Sequence, residues 1–369
     1  MRLPLSNFSS SALIFVALSV VSCGKGGNGT NPSSEPALTQ IKQLSTGLNY
    51  ACGVDLDSNV QCIGQNYAGQ FGDGTVNDAS SKASKQKISN VVAVSSGGMS
   101  VCTLKNDNTL WCAGSNKNGE LGNGTNVNSY APVQVKILNV AQVSVGTNGF
   151  SCGVTLGGDG YCWGSLADRF TPFSDLKDSN IPIQIPNVHN FKSISVGGLD
   201  FCGVTTDGNV YCSNEKNKLP TQISTLSDIK EVSVSGLNTC ALSNSGALFC
   251  WGSNEFGQLG IGTNSDADTP VQVKNISNFV QVSVGGLTTC GITADQKTFC
   301  FGNNAAGQIG DGTKRNANIP VEVLNSHNFS SISVQAGISC ALDTKNVSWC
   351  WGSKFLTTSI NPAPYQLNF

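Results

Sequence analysis

Fourteen of the fifteen cysteines fall into seven pairs of one spacing: Cys52/Cys62, Cys102/Cys112, Cys152/Cys162, Cys202/Cys212, Cys240/Cys250, Cys290/Cys300 and Cys340/Cys350. The members of each pair are ten residues apart, and successive pairs begin 50, 50, 50, 38, 50 and 50 residues on. A unit of about 50 residues therefore occurs seven times, with one copy 12 residues shorter (50 − 38). A period in this range belongs to solenoids and propellers, whose units bury their apolar faces only by stacking on their neighbours.

The copy VSVGGLTTCGITADQKTFCFGNNAAGQIGDGTKRNANIPVEV (282–323) shows what one unit contains. An alternating strand leads through Gly-Gly to an apolar segment around Cys290, a turn at ADQK, a third segment TFCFG, a Gly-rich loop and a late strand PVEV. No stretch has helical periodicity, and four short strands per unit is the plan of a propeller blade. The recurring order of VSVGG, a TCALS-like segment, CWG, SNxxGQLGxGT and PVxV resembles the regulator of chromosome condensation repeat family. GSNKNGELGNGT (114–125), GSNEFGQLGIGT (252–263) and GNNAAGQIGDGT (302–313) are nearly full matches to the family loop, and GQNYAGQFGDGT (64–75) is a close one. The resemblance covers about residues 38–369. It implies an all-β, seven-bladed β-propeller with four short antiparallel strands per blade.

Each cysteine pair suits a hairpin. Between Cys240 and Cys250 a three-residue loop, Asn244, Ser245 and Gly246, would place Leu242 opposite Leu248 and Cys240 opposite Cys250. Directly opposed residues lie about 4.5 or 5.5 Å apart at Cα, within reach of a disulfide. One hairpin disulfide per blade is expected. Zinc would need four ligands, and the chain holds only two histidines, His189 and His327. There is no Cys-x-x-Cys of the redox type.

The amino end reads as a targeting segment: Arg2, a polar stretch, the apolar run ALIFVALSVV (12–21), then Ser22 and Cys23. Such a run is too short to span a bilayer but suits the core of a signal peptide. VVSC resembles a bacterial lipobox, which makes Cys23 a lipidation site and leaves fourteen cysteines to pair. The expected organisation is a signal peptide over 1–22, a lipidated flexible tether over 23–37, and the propeller over 38–369. Gly24 after Cys23 favours the outer over the inner membrane. Export also supplies the oxidising compartment that disulfides need.

A net charge of −2, 12% charged residues and the lack of a lysine- or arginine-rich run argue against a nucleic-acid partner. The glycine loops lack the phosphate-binding spacing, and no acidic run, Asp73, Asp311 and Asp266–Asp268 included, has the order of a calcium loop. Trp163, Trp251, Phe301 and Trp351, each following a second cysteine, are expected to pack between blades. His189 and His327 share a structural slot in VHNF and SHNF. No catalytic triad stands out, so neither an enzyme nor a cofactor or metal site is expected.

Function is sought where the pattern breaks. Pro132, Pro182, Pro270 and Pro320 each lie 30 residues after the first cysteine of their unit, whereas Pro220 lies only 18 after Cys202. The deficit of unit four thus falls between Cys212 and Pro220. Unit three keeps its length but replaces the family loop by GSLADRFTPFSDLKDSN (164–180). Loops on a rigid scaffold carry recognition. Arg169, Phe170 and Phe173 are candidate anchors for a partner, with Lys177, Glu215, Lys216 and Lys218 at a polar rim. The expected function is a monomeric, envelope-anchored, non-catalytic module that binds a protein or other macromolecule. Two alternatives are nucleotide exchange on a small GTPase, which the resemblance brings with it, and hydrolysis of an envelope substrate.

Overall fold

Consecutive strands pair antiparallel in groups of four, giving seven four-stranded sheets among the described residues. The structure, a computed structural model, describes residues 39–369 except 167–177, 199, 214–217, 325–326 and 357–358. No helix occurs there, and none long and apolar enough to cross a membrane. The first strands of the sheets are Ile41–Gly47, Val91–Ser96, Val140–Val145, Phe191–Gly197, Ile229–Val234, Phe279–Gly285 and Phe329–Gln335. Each touches the first strand of the next sheet, and the seventh touches the first, so these strands form the inner circle of a seven-bladed propeller.

Burial explains the patterning. Most second strands, such as Tyr50–Asp55 and Asn238–Ser243, are buried at every position because both faces are covered by adjacent blades. Alternation is therefore lost, as in other doubly covered strands. The fourth strands form the rim and are half-buried to exposed. Pro132, Pro182, Pro270 and Pro320 all lie in these edge strands, where a missing N–H breaks no ladder.

All seven hairpin disulfides are present. Cys52 is bonded to Cys62, Cys102 to Cys112, Cys152 to Cys162 and Cys202 to Cys212. Cys240 is bonded to Cys250, Cys290 to Cys300 and Cys340 to Cys350. The Cα atoms of each pair are 4.0–4.1 Å apart, a little closer than the opposed positions of an average hairpin. Cys240 faces Cys250 and Leu242 faces Leu248, the register deduced from the sequence. Gly246 closes the hairpin at φ +87°, and its N–H reaches Ser243 O at 3.1 Å. At Gly285 a Cβ would lie 2.4 Å from the Val334 carbonyl, so the inner circle needs glycine there.

The blades are joined by a device that the sequence reading passed over. On each inner strand the serine opposite the first cysteine accepts the backbone N–H of the next inner strand. Ser45 accepts from Ser96, Ser95 from Val145, Ser144 from Val196, Ser195 from Val234, Ser233 from Val284 and Ser283 from Val334, at 2.9–3.0 Å. Ser333 of blade 7 accepts from Thr46 of blade 1 at 3.0 Å, and their hydroxyls lie 2.8 Å apart. The ring thus closes without sharing a strand. Ser333→Ala would strand the buried N–H of Thr46, and a loss of about 1–3 kcal/mol is expected in denaturant unfolding.

Candidate functional site

In the regular blades, the loop between the third and fourth strands folds around one asparagine. Asn254, fully buried, accepts the Leu259 N–H at 3.0 Å and donates to Thr263 O and Ser265 O at 2.9 Å. Asn66, Asn116 and Asn304 likewise accept the N–H groups of Phe71, Leu121 and Ile309 at 2.9 Å. Each loop thereby drives one apolar side chain, Phe71, Leu121, Leu259 or Ile309, into full burial. Leu121 joins the cluster of Trp163, Leu259 that of Phe301, and Ile309 that of Trp351, so each loop is wedged against the following blade.

The carbonyl before that apolar residue completes the seam. Gln308 O accepts both Trp351 Nε1 at 2.9 Å and Ser339 Oγ at 2.8 Å. Glu120 O accepts Trp163 Nε1 at 2.8 Å, and Gln258 O accepts Thr289 Oγ1 at 2.8 Å. Trp163, Phe301 and Trp351 therefore pack between blades, as expected.

Blade 4 breaks this arrangement. Seven residues (214–220) link its third and fourth strands, where fourteen do so in blades 2, 5 and 6. Its fourth strand shrinks to Thr221–Gln222. The following blade still carries the receiving pair, Trp251 directly opposite Thr239. Trp251 is only partly buried, against Cys212, Leu226 and their neighbours, in a cluster that among the described residues holds no side chain from the shortened loop. Thr239 is 9% exposed. Among the described residues neither the Trp251 indole N–H nor the Thr239 hydroxyl has a hydrogen-bond partner, so inter-blade packing describes Trp251 only in part. At Gly302 and Gly352 a Cβ would meet Cα of Gln258 or Gln308 within 3.1–3.3 Å, whereas around Gly252 the three nearest atoms all belong to its own blade. Leu237, 55% exposed, borders that glycine.

The other irregular seams are matched from within. Ser213, which occupies the tryptophan slot of blade 4, donates to Lys218 O at 2.9 Å, and Leu166 of the altered blade 3 loop is buried beside Phe201. At the closure, Ile63 and Ala51 sit in an apolar cluster against Phe355. Of the sequence-predicted partner residues, Lys218 is exposed. Arg169, Phe170, Phe173, Lys177, Glu215 and Lys216 lie outside the described residues, as does Cys23. Sequence reasoning missed Trp251 and Thr239 as a pair. The signal was present: a tryptophan kept in one unit although the preceding unit had lost the loop that serves it.

The paired cysteines belong to the scaffold and contribute no group to this site. The second member of each pair, Cys62, Cys112, Cys162, Cys212, Cys250, Cys300 or Cys350, is buried in a third strand, with its sulfur tied to Cys52, Cys102, Cys152, Cys202, Cys240, Cys290 or Cys340 of the second strand. Asp73 and Asp311 cap their loops through Thr75 and Thr313, and Asp266 accepts the Asn254 N–H. Among the described residues no group of three or more His, Cys, Asp or Glu is placed to hold a metal ion. His189 contacts Asp159 at 3.1 Å and borders a polar hollow of about 250 Å³ lined by Thr205, Asp207 and Tyr211. Hydrogen bonding, first from Thr205, holds the Asp207 carboxyl below the usual carboxylate range. His327 stacks on Trp349 with ring centroids 3.6 Å apart.

Profiles of the regulator of chromosome condensation (RCC1) repeat match residues 107–152 and 245–292, and a second profile of that repeat matches 229–258. No curated protein matches the sequence. Among solved structures, the fold is similar to that of Prp20p from Saccharomyces cerevisiae, described with its binding properties to Gsp1p and histones. The TM-score is 0.75 at 17% identity, over 90% of this chain and 88% of that one. Human WBSCR16 is similar at a TM-score of 0.73 and 17% identity, over 85% and 94% of the two chains. The ectodomain of the receptor kinase CR4 from Physcomitrella patens gives 0.54 at 20%, over 86% and 74%. With the repeat recognised over residues 107–152 and 229–292 and seven copies of the unit closed into one ring, the chain is a seven-bladed propeller that carries RCC1 repeats.

Proposed function

We propose that this chain is an exported, monomeric binding module, anchored through a lipid on Cys23 in the bacterial outer membrane and recognising a protein partner through the loops of blades 3 and 4. The observation that carries this reading is the interrupted ring of loops. The regular loops brace the next blade, while the loop of blade 3 is recomposed, that of blade 4 is cut to half length, and the seam after it keeps unmatched donors. A scaffold stapled at every blade can give up bracing in one sector without losing its shape, which leaves that sector free for recognition. Prp20p, with its binding of Gsp1p and histones, supports reading such a ring as a protein-binding surface.

Affinity capture from membranes with the full chain is expected to recover one specific partner, and Arg169→Ala, Phe170→Ala and Phe173→Ala together to abolish recovery. In the same cells Cys23→Ser is expected to move the chain into the soluble fraction. Recovery that survives the triple substitution would overturn the assignment of the blade 3 loop.

A further inference from the structure

We infer that the seam between blades 4 and 5 is a docking site for a turn of a partner protein, one that presents a main-chain carbonyl followed by a leucine or isoleucine side chain. The inference rests on the binding-module reading and specifies what the irregular sector recognises.

The occupant's chemistry is written into the chain itself. Gln308 O satisfies Trp351 Nε1 and Ser339 Oγ together, at 2.9 and 2.8 Å, and the next residue, Ile309, is buried in the cluster of Trp351. Blade 5 repeats the receiving half: Trp251 stands opposite Thr239 as Trp351 stands opposite Ser339. Both donors are without partners among the described residues, and Thr239 is more than nine-tenths buried. The corresponding apolar cluster, which includes Cys212, Leu226, Ile229 and Val232, holds among the described residues no counterpart of Leu121, Leu259 or Ile309. The Trp251 indole N–H and the Thr239 hydroxyl, which face each other as Trp351 and Ser339 do, favour a group able to accept from both, since donors left unpaired in the bound state cost more than the bonds contribute. The exposed Leu237 extends the apolar edge of the seam. A carbonyl with an aliphatic neighbour is therefore the ligand, and a glycine-containing turn of another polypeptide is its source. The 12 residues that blade 4 lacks fall in the stretch that supplies this turn in the regular blades.

The probe is a cyclised peptide of the chain's own regular loop, residues 303–313 (NNAAGQIGDGT), titrated into the full propeller carrying 15N-labelled indoles. The Trp251 N–H is expected to exchange fast in the free protein, unlike those of Trp163 and Trp351, and to shift and gain protection as peptide is added. Trp251→Phe and Thr239→Val keep the shape and remove one donor each, and each is expected to weaken binding about three- to tenfold. An Ile309→Asp peptide is expected not to bind. Failure of the wild-type peptide to perturb Trp251 at millimolar concentration, or equal binding to wild type and both variants, would overturn the docking site. If the captured partner is lost with the blade 3 loop variant but kept by Trp251→Phe and Thr239→Val, the binding module stands and the seam is refuted. If neither set of variants affects capture, both readings fail.

Discussion

Reduction of the seven disulfides is expected to unfold the ring, whereas loss of any one bridge leaves it folded but weaker. Each bridge closes a loop of ten residues between directly facing cysteines. In the chain-entropy account, such a closure stabilises by about 2.7 kcal/mol, the same for every blade because the loop length is the same. Seven closures together amount to about 19 kcal/mol, more than the roughly 5–15 kcal/mol of net stability common to globular proteins. The hairpins cannot hold their staggered inter-blade packing once the unfolded chain regains that freedom. For a ring of this length, Cys240→Ser with Cys250→Ser is expected to lower the thermal midpoint by about 4 °C, and the equivalent change in any other blade by a similar amount. The bridged cysteines are all at most 8% exposed, so a reductant acts only after local opening, and unfolding should lag its addition. Circular dichroism melts of the seven pair variants, and of the wild type with and without reductant, check both claims. An unchanged melt under full reduction would show that the blades hold without their staples.

The second large effect is a rise in stability on acidification from pH 8 to pH 5, traceable to Glu231. On three inner strands a glutamine two residues before the ladder serine grips the next blade. Gln43 accepts from Val94 N at 2.8 Å and donates to Val94 O at 3.0 Å, Gln142 does the same with Ile194, and Gln281 accepts from Ile332 N at 3.1 Å. Blade 5 has Glu231 in this place, where the Val282 N–H reaches its carboxyl. A neutral carboxylic acid can copy the glutamine, accepting the N–H and donating to a carbonyl. A carboxylate can only accept. Burial pushes the Glu231 carboxyl up to about 7, against the lowering effects of Val282 and Lys230.

With the folded value above the unfolded one, the folded chain holds the proton more tightly. The associated stability is complete below about pH 4.5 and is lost as pH rises through about 7. Because the side chain keeps part of its surface in water, the loss is set at about 1–2 kcal/mol rather than the full value of the shift. Glu231→Gln is expected to abolish this slope and to make the protein more stable than the wild type at pH 8. Urea unfolding at pH 5, 7 and 8 measures it, and parallel slopes for wild type and variant would refute the assignment.

The blades were legible in the sequence because cysteine spacing, glycine loops and edge prolines are local signals repeated along the chain. The hairpin register around Cys240 and Cys250 could be written down residue by residue, since a three-residue turn leaves no freedom in the pairing. What joins the blades was not legible. The ladder serines sit in VSV-like strands where the alternation announces a sheet face, and nothing local reveals that Ser233 reaches Val284, 51 residues away. The receiving pair Trp251 and Thr239 was hidden for the same reason. Each residue conforms to its own repeat, and only the absence of a loop in the preceding repeat leaves it unmatched. Reading a repeat protein for function therefore means comparing each unit's contact residues with what its neighbour supplies, and length changes alone do not do this.

The serine ladder also makes the ring indifferent to where its chain is opened. Ser333 to Thr46 repeats the bond found at the other six junctions, and the Thr39 hydroxyl donates to Phe369 O at 2.8 Å, which brings the two ends of the propeller side by side. Joining those ends and reopening the chain in any other inter-blade connection would yield the same circle with its blades renumbered. Order along the gene and order around the ring are separable, so a recognition sector could arise at any pair of adjacent blades without disturbing closure.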